Sequence, residues 1–282
     1  MKKIKLISDS TCDLSKALIK EHDIEVIPLH VSFGDEMYDD GVNLTTEQLY
    51  KKVEEKNELP KSAAASPGEF ETVFKRYLDE GYQVLYLGIG SKFSGTFQSA
   101  MVAKGMLESE DIVLVDSQNL SSGTGLLLLK AASFRAQGDD ILTIKKKLEA
   151  IVPKVRSQFV IDTLEYLYKG GRLNALSALM GKMLRIHPLI KVVDGEMAVG
   201  KKARGSMRKG LNIMLDEALA LKGEIDEEFM MITHSLADES YHYLKQKVDQ
   251  EFNIKNVYET HAGCVISTHC GPGTIGILYI MK

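Results

Sequence analysis

Short apolar runs alternate with helix-period segments along the first half of the chain. Ile4–Ile7 predicts a strand, Leu14–Glu21 a helix, and Glu25–Phe33 extended segments ending at a Gly34-Asp35 turn. Pro67 and Gly68 open a predicted helix to about Glu80, followed by a buried strand over Val84–Ile89 and a helix over Gly95–Leu107. Ile112–Val115 is a further strand, then come a long helix ending near Ala136 and another over Ile141–Ile151. Strands alternating with helices specify a mostly parallel, Rossmann-like sheet with helices on both faces.

Pro153 breaks this rhythm. Beyond it, strand patterns occupy Ser157–Ile161, Ile186–Val192, Met197–Lys201, Phe229–Thr233, Asn256–Thr260, Val265–Ser267 and Ile275–Ile280. Helices fit at Asn174–Leu184, Ser206–Ala220 and Glu239–Gln250. Consecutive strands beside helices predict an α+β unit with a mixed sheet. The expected organisation is an α/β chain of two domains, 1–153 and 154–282, which a length of 282 residues accommodates.

Charge sharpens the division. Residues 1–153 carry 18 basic and 24 acidic side chains, whereas 154–282 carry 17 and 15. No apolar run approaches the roughly 20 residues needed to span a bilayer; Leu126–Leu129 stops at Lys130. Lys2-Lys3 begins like a secretory leader, but the apolar stretch after it ends at Asp9 without a cleavage site. Cys12, Cys264 and Cys270 are too few for a disulfide framework. The expected location is the cytoplasm. Eight of the 12 methionines follow residue 153; thioether side chains fill irregular cores and adaptable apolar pockets alike.

Ligands in open α/β sheets bind beyond the carboxyl ends of the strands. There the chain places Ser8–Thr11, the Gly90–Thr96 loop and Asp116-Ser117, all small and hydroxyl-rich. Capping is the plainer role for any one of them; together they outline a cradle for a carboxylate or phosphate. Ser94-Gly95-Thr96 opens a helix, where free N–H groups could join the hydroxyls. Gly90 and Gly95 have P-loop spacing, but Thr96 stands where the phosphate-binding Lys belongs, which counts against a nucleoside triphosphatase. No Gly-x-Ser-x-Gly elbow is present, and Ser206–Lys209 matches Ser-x-x-Lys without its companion motifs. Cys264, His269 and Cys270 suit no standard zinc spacing, so no metal is expected.

Between Lys154 and Lys209 there are 12 basic and four acidic side chains, including Lys169–Arg172 and Lys201–Arg204. A solvated face, nucleic-acid binding and docking to an acidic partner all remain open on composition. His269–Gly273 permits a tight turn with inward N–H groups.

Ile7–Leu14, Ser66–Phe70, Ser91–Ala100, Val115–Ser117, Tyr168–Arg172 and His269–Gly273, in this order and spacing, resemble the DegV family along nearly the whole chain. The resemblance implies two α/β domains with a long-chain fatty acid between them. It implies no catalytic residue and no cofactor, the fatty acid being the ligand. The partner it implies is the ATP-binding subunit of a fatty acid kinase, which would phosphorylate the presented carboxylate for phospholipid synthesis. Carried over residue by residue, carboxylate contacts fall on Ser62, Ser94 and His269. Ser10, Thr11, Gly95, Thr96, Gly271 and Gly273 belong to the supporting loops, and Arg172 and Arg204 to the kinase-docking face. Where the family usually reads Thr-Ser-Gln-Pro-Ser, this chain reads Ser62-Ala-Ala-Ala-Ser66, which keeps the first hydroxyl. The Met-rich second half becomes a candidate tunnel lining. The competing expectations are a stand-alone small-molecule kinase or hydrolase using the serine loops, and a regulatory nucleic-acid-binding module.

Overall fold

The computed structural model describes residues 2–172 and 186–282; the helix expected over 174–184, with Met180 and Met183, lies outside them. A parallel sheet is built from β1 (Ile4–Asp9), β2 (Ile24–Ile27), β6 (Gln83–Gly88) and β7 (Ile112–Asp116), in the order β2-β1-β6-β7. Side chains alternate between its faces. Leu6, Leu85, Leu87, Val113 and Val115 join one apolar cluster, while Ile7, Val84, Tyr86 and Ile112 join another. Helices α3 (Pro67–Asp79) and α4 (Thr96–Leu107) cover the second face; α5 (Ser122–Ala136) and α6 (Ile141–Ile151) cover the first. The strand order reverses between β1 and β6, which makes a crevice beside the loops that follow them.

The mixed sheet runs β10-β9-β8-β13-β11-β12, from β8 (Val155–Val160), β9 (Ile186–Val193), β10 (Glu196–Arg204), β11 (Ile225–His234), β12 (Asn256–His261) and β13 (Ile275–Met281). Helices α8 (Met207–Leu219) and α9 (Asp238–Glu251) pack on its outer face. Its inner face meets α5, which is buried all round from Ser122 to Ala132. That explains the Leu126–Leu129 run: a helix packed between two sheets has no polar side to present. Gly125 admits the loop after β1, since a Cβ there would lie 2.8 Å from the Cys12 carbonyl. One apolar cluster thus runs from Leu6 and Leu85 through the α5 leucines to Met231 and Leu278.

A small antiparallel sheet, β4-β3-β5, was not evident in the sequence. Its strands are β3 (His30–Phe33), β4 (Glu36–Asp39) and β5 (Lys61–Ala63). Between β4 and β5 lies α2 (Thr46–Lys56), opened by a Thr45–Gln48 capping box. Helix α7 (Glu165–Lys169) is likewise additional.

Val265–Ser267 is not a strand but part of α10 (Cys264–Cys270). Val265 and Ile266 favour a strand locally, yet their segment is captured as a helix by acids from the other end of the chain. Asp40 accepts from the N–H groups of Cys264 (2.7 Å) and Val265 (3.3 Å), and Asp13 accepts from Gly263 N (2.9 Å). Burial raises the pKa of both carboxyls. Asp40→Ala orphans two buried donors and is expected to cost about 1–3 kcal/mol for each. Asp40→Asn keeps one acceptor and removes the buried charge, so urea unfolding should show a smaller loss for Asn than for Ala.

Candidate functional site

A cavity of about 460 Å³ lies between the two larger sheets, near the amino end of α5. Its walls bring together residues remote in sequence. Ser62 comes from β5, where it pairs with Val31 of β3. Ser94 and Gly95 come from the loop between β6 and α4, Arg172 follows α7, and His269 stands in the last turn of α10. Ile89, Phe93, Leu167, Phe159 and Met197 supply apolar wall.

The polar groups are arranged as donors. His269 Nε2 lies 2.7 Å from Ser62 Oγ, while its Nδ1 is buried without a partner. A buried N–H without an acceptor is the costlier orphan, so the ring proton belongs on Nε2, donating to Ser62 Oγ. The Ser62 hydroxyl hydrogen is then free for the cavity. Ser94 Oγ accepts from Thr96 N (3.2 Å) and lies 2.8 Å from Thr96 Oγ1. With Thr96 as donor there too, Ser94 also keeps its hydrogen for a ligand. Burial, and after it the positive charge of Arg172, lower the His269 ring to about 4. At neutral pH the ring is uncharged, and Arg172 is a cation beside it, with Lys92 of the Ser94 loop also on the cavity wall. Two hydroxyls beside a guanidinium suit an anionic oxygen.

Supporting contacts fix His269 in place. Gly170 lies against its ring, and a Cβ there would come 2.5 Å from Nδ1. Gly271, at φ +76°, lies on the Tyr166 ring, which a Cβ would approach to 2.8 Å. Gly273 N donates to the Ser235 carbonyl (2.8 Å), and Ser235 Oγ lies 2.6 Å from Tyr50 OH. The packing of Gly170 on His269 was not visible in the sequence, although both residues lie in segments that carry the resemblance.

Most of the supporting-loop positions stand outside the cavity wall. Ser10 and Thr11 do not line the cavity, because buried acids engage their hydroxyls. Ser10 Oγ donates to Asp40 (2.9 Å), and Thr11 donates to Asp9 through both N–H and hydroxyl. Asp9 also accepts from Tyr86 OH (2.8 Å) and Ile89 N (2.9 Å), tying the first loop to the cavity-lining one. Thr96, Gly271 and Gly273 stand behind the wall, and Arg204, paired with Ile186 at the end of β10, lies outside it. Arg172, expected at a docking face, lines the cavity itself. Among the described methionines of the second half, Met197 lines the cavity, whereas Met214, Met230 and Met231 are buried in the apolar clusters.

One further cluster has metal-like composition: ligand atoms of His234, Glu259 and His261 lie within 4.8 Å of one another. Ala237 N donates to His234 Nδ1 (3.1 Å), which puts the ring proton on Nε2, facing Glu259 at 3.1 Å. That proton occupies the lone pair a metal would need.

The fold and the site define an α/β protein with an anion-suited, largely apolar ligand cavity between its sheets. The chain belongs to the DegV family, whose model, described as an uncharacterised protein of the DegV family, matches residues 3–282. A DegV domain-containing protein of Clostridium acetobutylicum is 38% identical over 284 residues, covering 100% of each chain. A fatty-acid-binding DegV family protein from Thermus thermophilus superimposes with a TM-score of 0.93 at 28% identity, over 99% of this chain and 100% of that one. DegV, a fatty acid binding protein from Bacillus subtilis, gives 0.87 at 29% identity over 100% of both chains. Among the described residues no helix is long and apolar enough to cross a membrane.

Proposed function

We propose that this protein binds a long-chain fatty acid in the cavity between its sheets. The carboxylate is held by Ser62, Ser94 and His269 with Arg172 nearby, and the acyl chain lies along the apolar walls. The observation that carries this reading is the His269–Ser62 pair, whose free hydroxyl hydrogen enters a largely apolar cavity beside Ser94 and Arg172. The related structures from Thermus thermophilus and Bacillus subtilis are fatty-acid-binding proteins of the same fold. Each methylene removed from water contributes about 0.8 kcal/mol, so the chain supplies affinity and the head group supplies orientation.

In this reading the protein is a cytoplasmic carrier rather than an enzyme. It presents the carboxylate to a separate ATP-dependent kinase subunit, which forms the acyl phosphate. Arg204, exposed at the end of β10, belongs to the docking face, and Arg172 serves both docking and the carboxylate. Thr96 at the P-loop lysine position is consistent with leaving ATP to the partner.

Mass spectrometry of an organic extract of the purified protein tests the ligand class; an extract without fatty acid would sink the reading. Ser94→Ala should weaken fatty-acid retention about 10-fold or more, as expected for losing a hydrogen bond to a charged group. Arg204→Ala should leave retention unchanged and slow phosphorylation by the kinase subunit; faster lipid loss in this variant would place Arg204 at the ligand instead.

A further inference from the structure

Behind the first cavity lies a second, of about 370 Å³, and Ser157 belongs to the walls of both. It opens where two strands part. The β8–β9 pairing ends at Gln158 and Lys191, so Val155, Arg156 and Ser157 have no partner on β9. Val155, Val192 and Val193 give this second space an apolar strip, set among the polar side chains of Arg156, Gln158, Lys191 and Glu217.

The partition between the two spaces is thin. Ser157 Oγ donates to Asn119 Oδ1 at 2.6 Å, and the same oxygen accepts from Leu120 N at 3.1 Å. The pair is pressed between β8 and the first turn of α5: a Cβ on Gly123 would lie 2.1 Å from Asn119 Oδ1 and 2.3 Å from Ser157 Oγ. Two other cavity hydroxyls bond to groups outside the second space, Thr233 to Thr260 (2.7 Å) and Thr274 to the Cys270 carbonyl (2.8 Å). At Ser157 the backing is one hydrogen-bonded amide with open space beyond.

We propose that the Asn119–Ser157 pair is the stop that sets the longest acyl chain this protein accepts, by closing the ligand cavity off from the second one. The proposal rests on the fatty-acid reading above and adds the residues that select chain length. A chain that reaches the pair meets a fixed polar contact; a longer one must break it or fold back. With the partition gone, the distal methylenes gain a path along Val155 and Val192.

The test is a series of dissociation constants for saturated fatty acids of increasing length, measured by displacement of a fluorescent fatty acid. In the unaltered protein affinity should rise about fourfold per methylene and then fall beyond a cut-off. Asn119→Ala should move that cut-off to longer chains, with a gain per methylene below fourfold past it because the second space is partly polar. Ser157→Thr keeps the hydroxyl, suits a strand and adds a methyl group at the partition, so it should move the cut-off to shorter chains. Melting curves establish that each variant is folded; if Asn119→Ala is not, Ser157→Thr decides alone. A folded Ser157→Thr protein with an unmoved cut-off overturns the stop while leaving fatty-acid binding intact. Failure of the unaltered protein to bind any member of the series overturns the fatty-acid reading, and the stop falls with it.

Discussion

Gly170→Ala should unseat His269 and, with it, the carboxylate contact. The backbone there is ordinary, at φ −73°, so the substitution costs nothing in dihedral strain. Its new methyl group would instead lie 2.5 Å from His269 Nδ1, 2.8 Å from the Tyr166 carbonyl and 3.2 Å from His269 Cε1. Neither neighbour yields cheaply, one being backbone and the other a buried ring pinned through Nε2 to Ser62. Overpacking of this kind costs about 1–3 kcal/mol, read as a lower melting temperature. If the ring moves, the Ser62–His269 bond breaks, and fatty-acid affinity should fall roughly 10- to 150-fold, the value of a hydrogen bond to a charged group. The adjacent glycine provides the control. Gly171 sits at φ +73° with nothing within 4 Å of a Cβ, so Gly171→Ala is strained but unobstructed. It should lose about 1–2 kcal/mol and keep its affinity. Equal affinity losses in the two variants would mean that the loop as a whole, not the seat under His269, governs binding.

That contrast between neighbouring glycines marks a limit of what the sequence discloses. The parallel sheet, its covering helices and most of the mixed sheet were legible because their apolar periods are local. Leu126–Leu129 was readable as helix, though not as a helix enclosed by two sheets, because enclosure belongs to the partners. The Thr45–Gln48 capping box lay in plain view and would have disclosed α2. Helix α10 could not be read from its own residues. Its amino end is capped by Asp13 and Asp40, more than 200 positions earlier, and without those acceptors Val265-Ile266 favours a strand. The same distance hides the site. Ser62 and His269 are 207 positions apart and meet through the small sheet, which no alternation of apolar residues announced. Their pairing was accessible only through family resemblance. The resemblance in turn carried Ser10 and Thr11 as supporting-loop residues, where buried carboxyls hold their hydroxyls away from the cavity.

A pH effect of defined sign should come from His269. Its ordinary value of 6.5 is lowered to about 4 in the folded protein, first by burial and then by Arg172. An unfolded chain takes up a proton near 6.5, whereas the folded one resists until about 4. Between those values the unfolded state binds more protons, so stability rises with pH. The contribution is present in full above about 6.5 and is lost as pH falls through about 4, a change on the order of 3 kcal/mol. Asp9, Asp13 and Asp40 act in the opposite sense, since burial raises their carboxyls and a raised group loses stability as pH rises. Neither sign can therefore be read from one curve. The difference between the unaltered protein and His269→Gln removes the shared carboxyl contribution, because Gln keeps a polar group toward Ser62 and titrates nowhere in this range. Urea unfolding of ligand-free protein should show the unaltered chain losing roughly 3 kcal/mol more than His269→Gln between neutral pH and about pH 4. Parallel curves would mean that the ring titrates at its ordinary value. An imidazole that does so is hydrated and not sealed against Gly170, and the donor arrangement through Ser62 would then have to be abandoned.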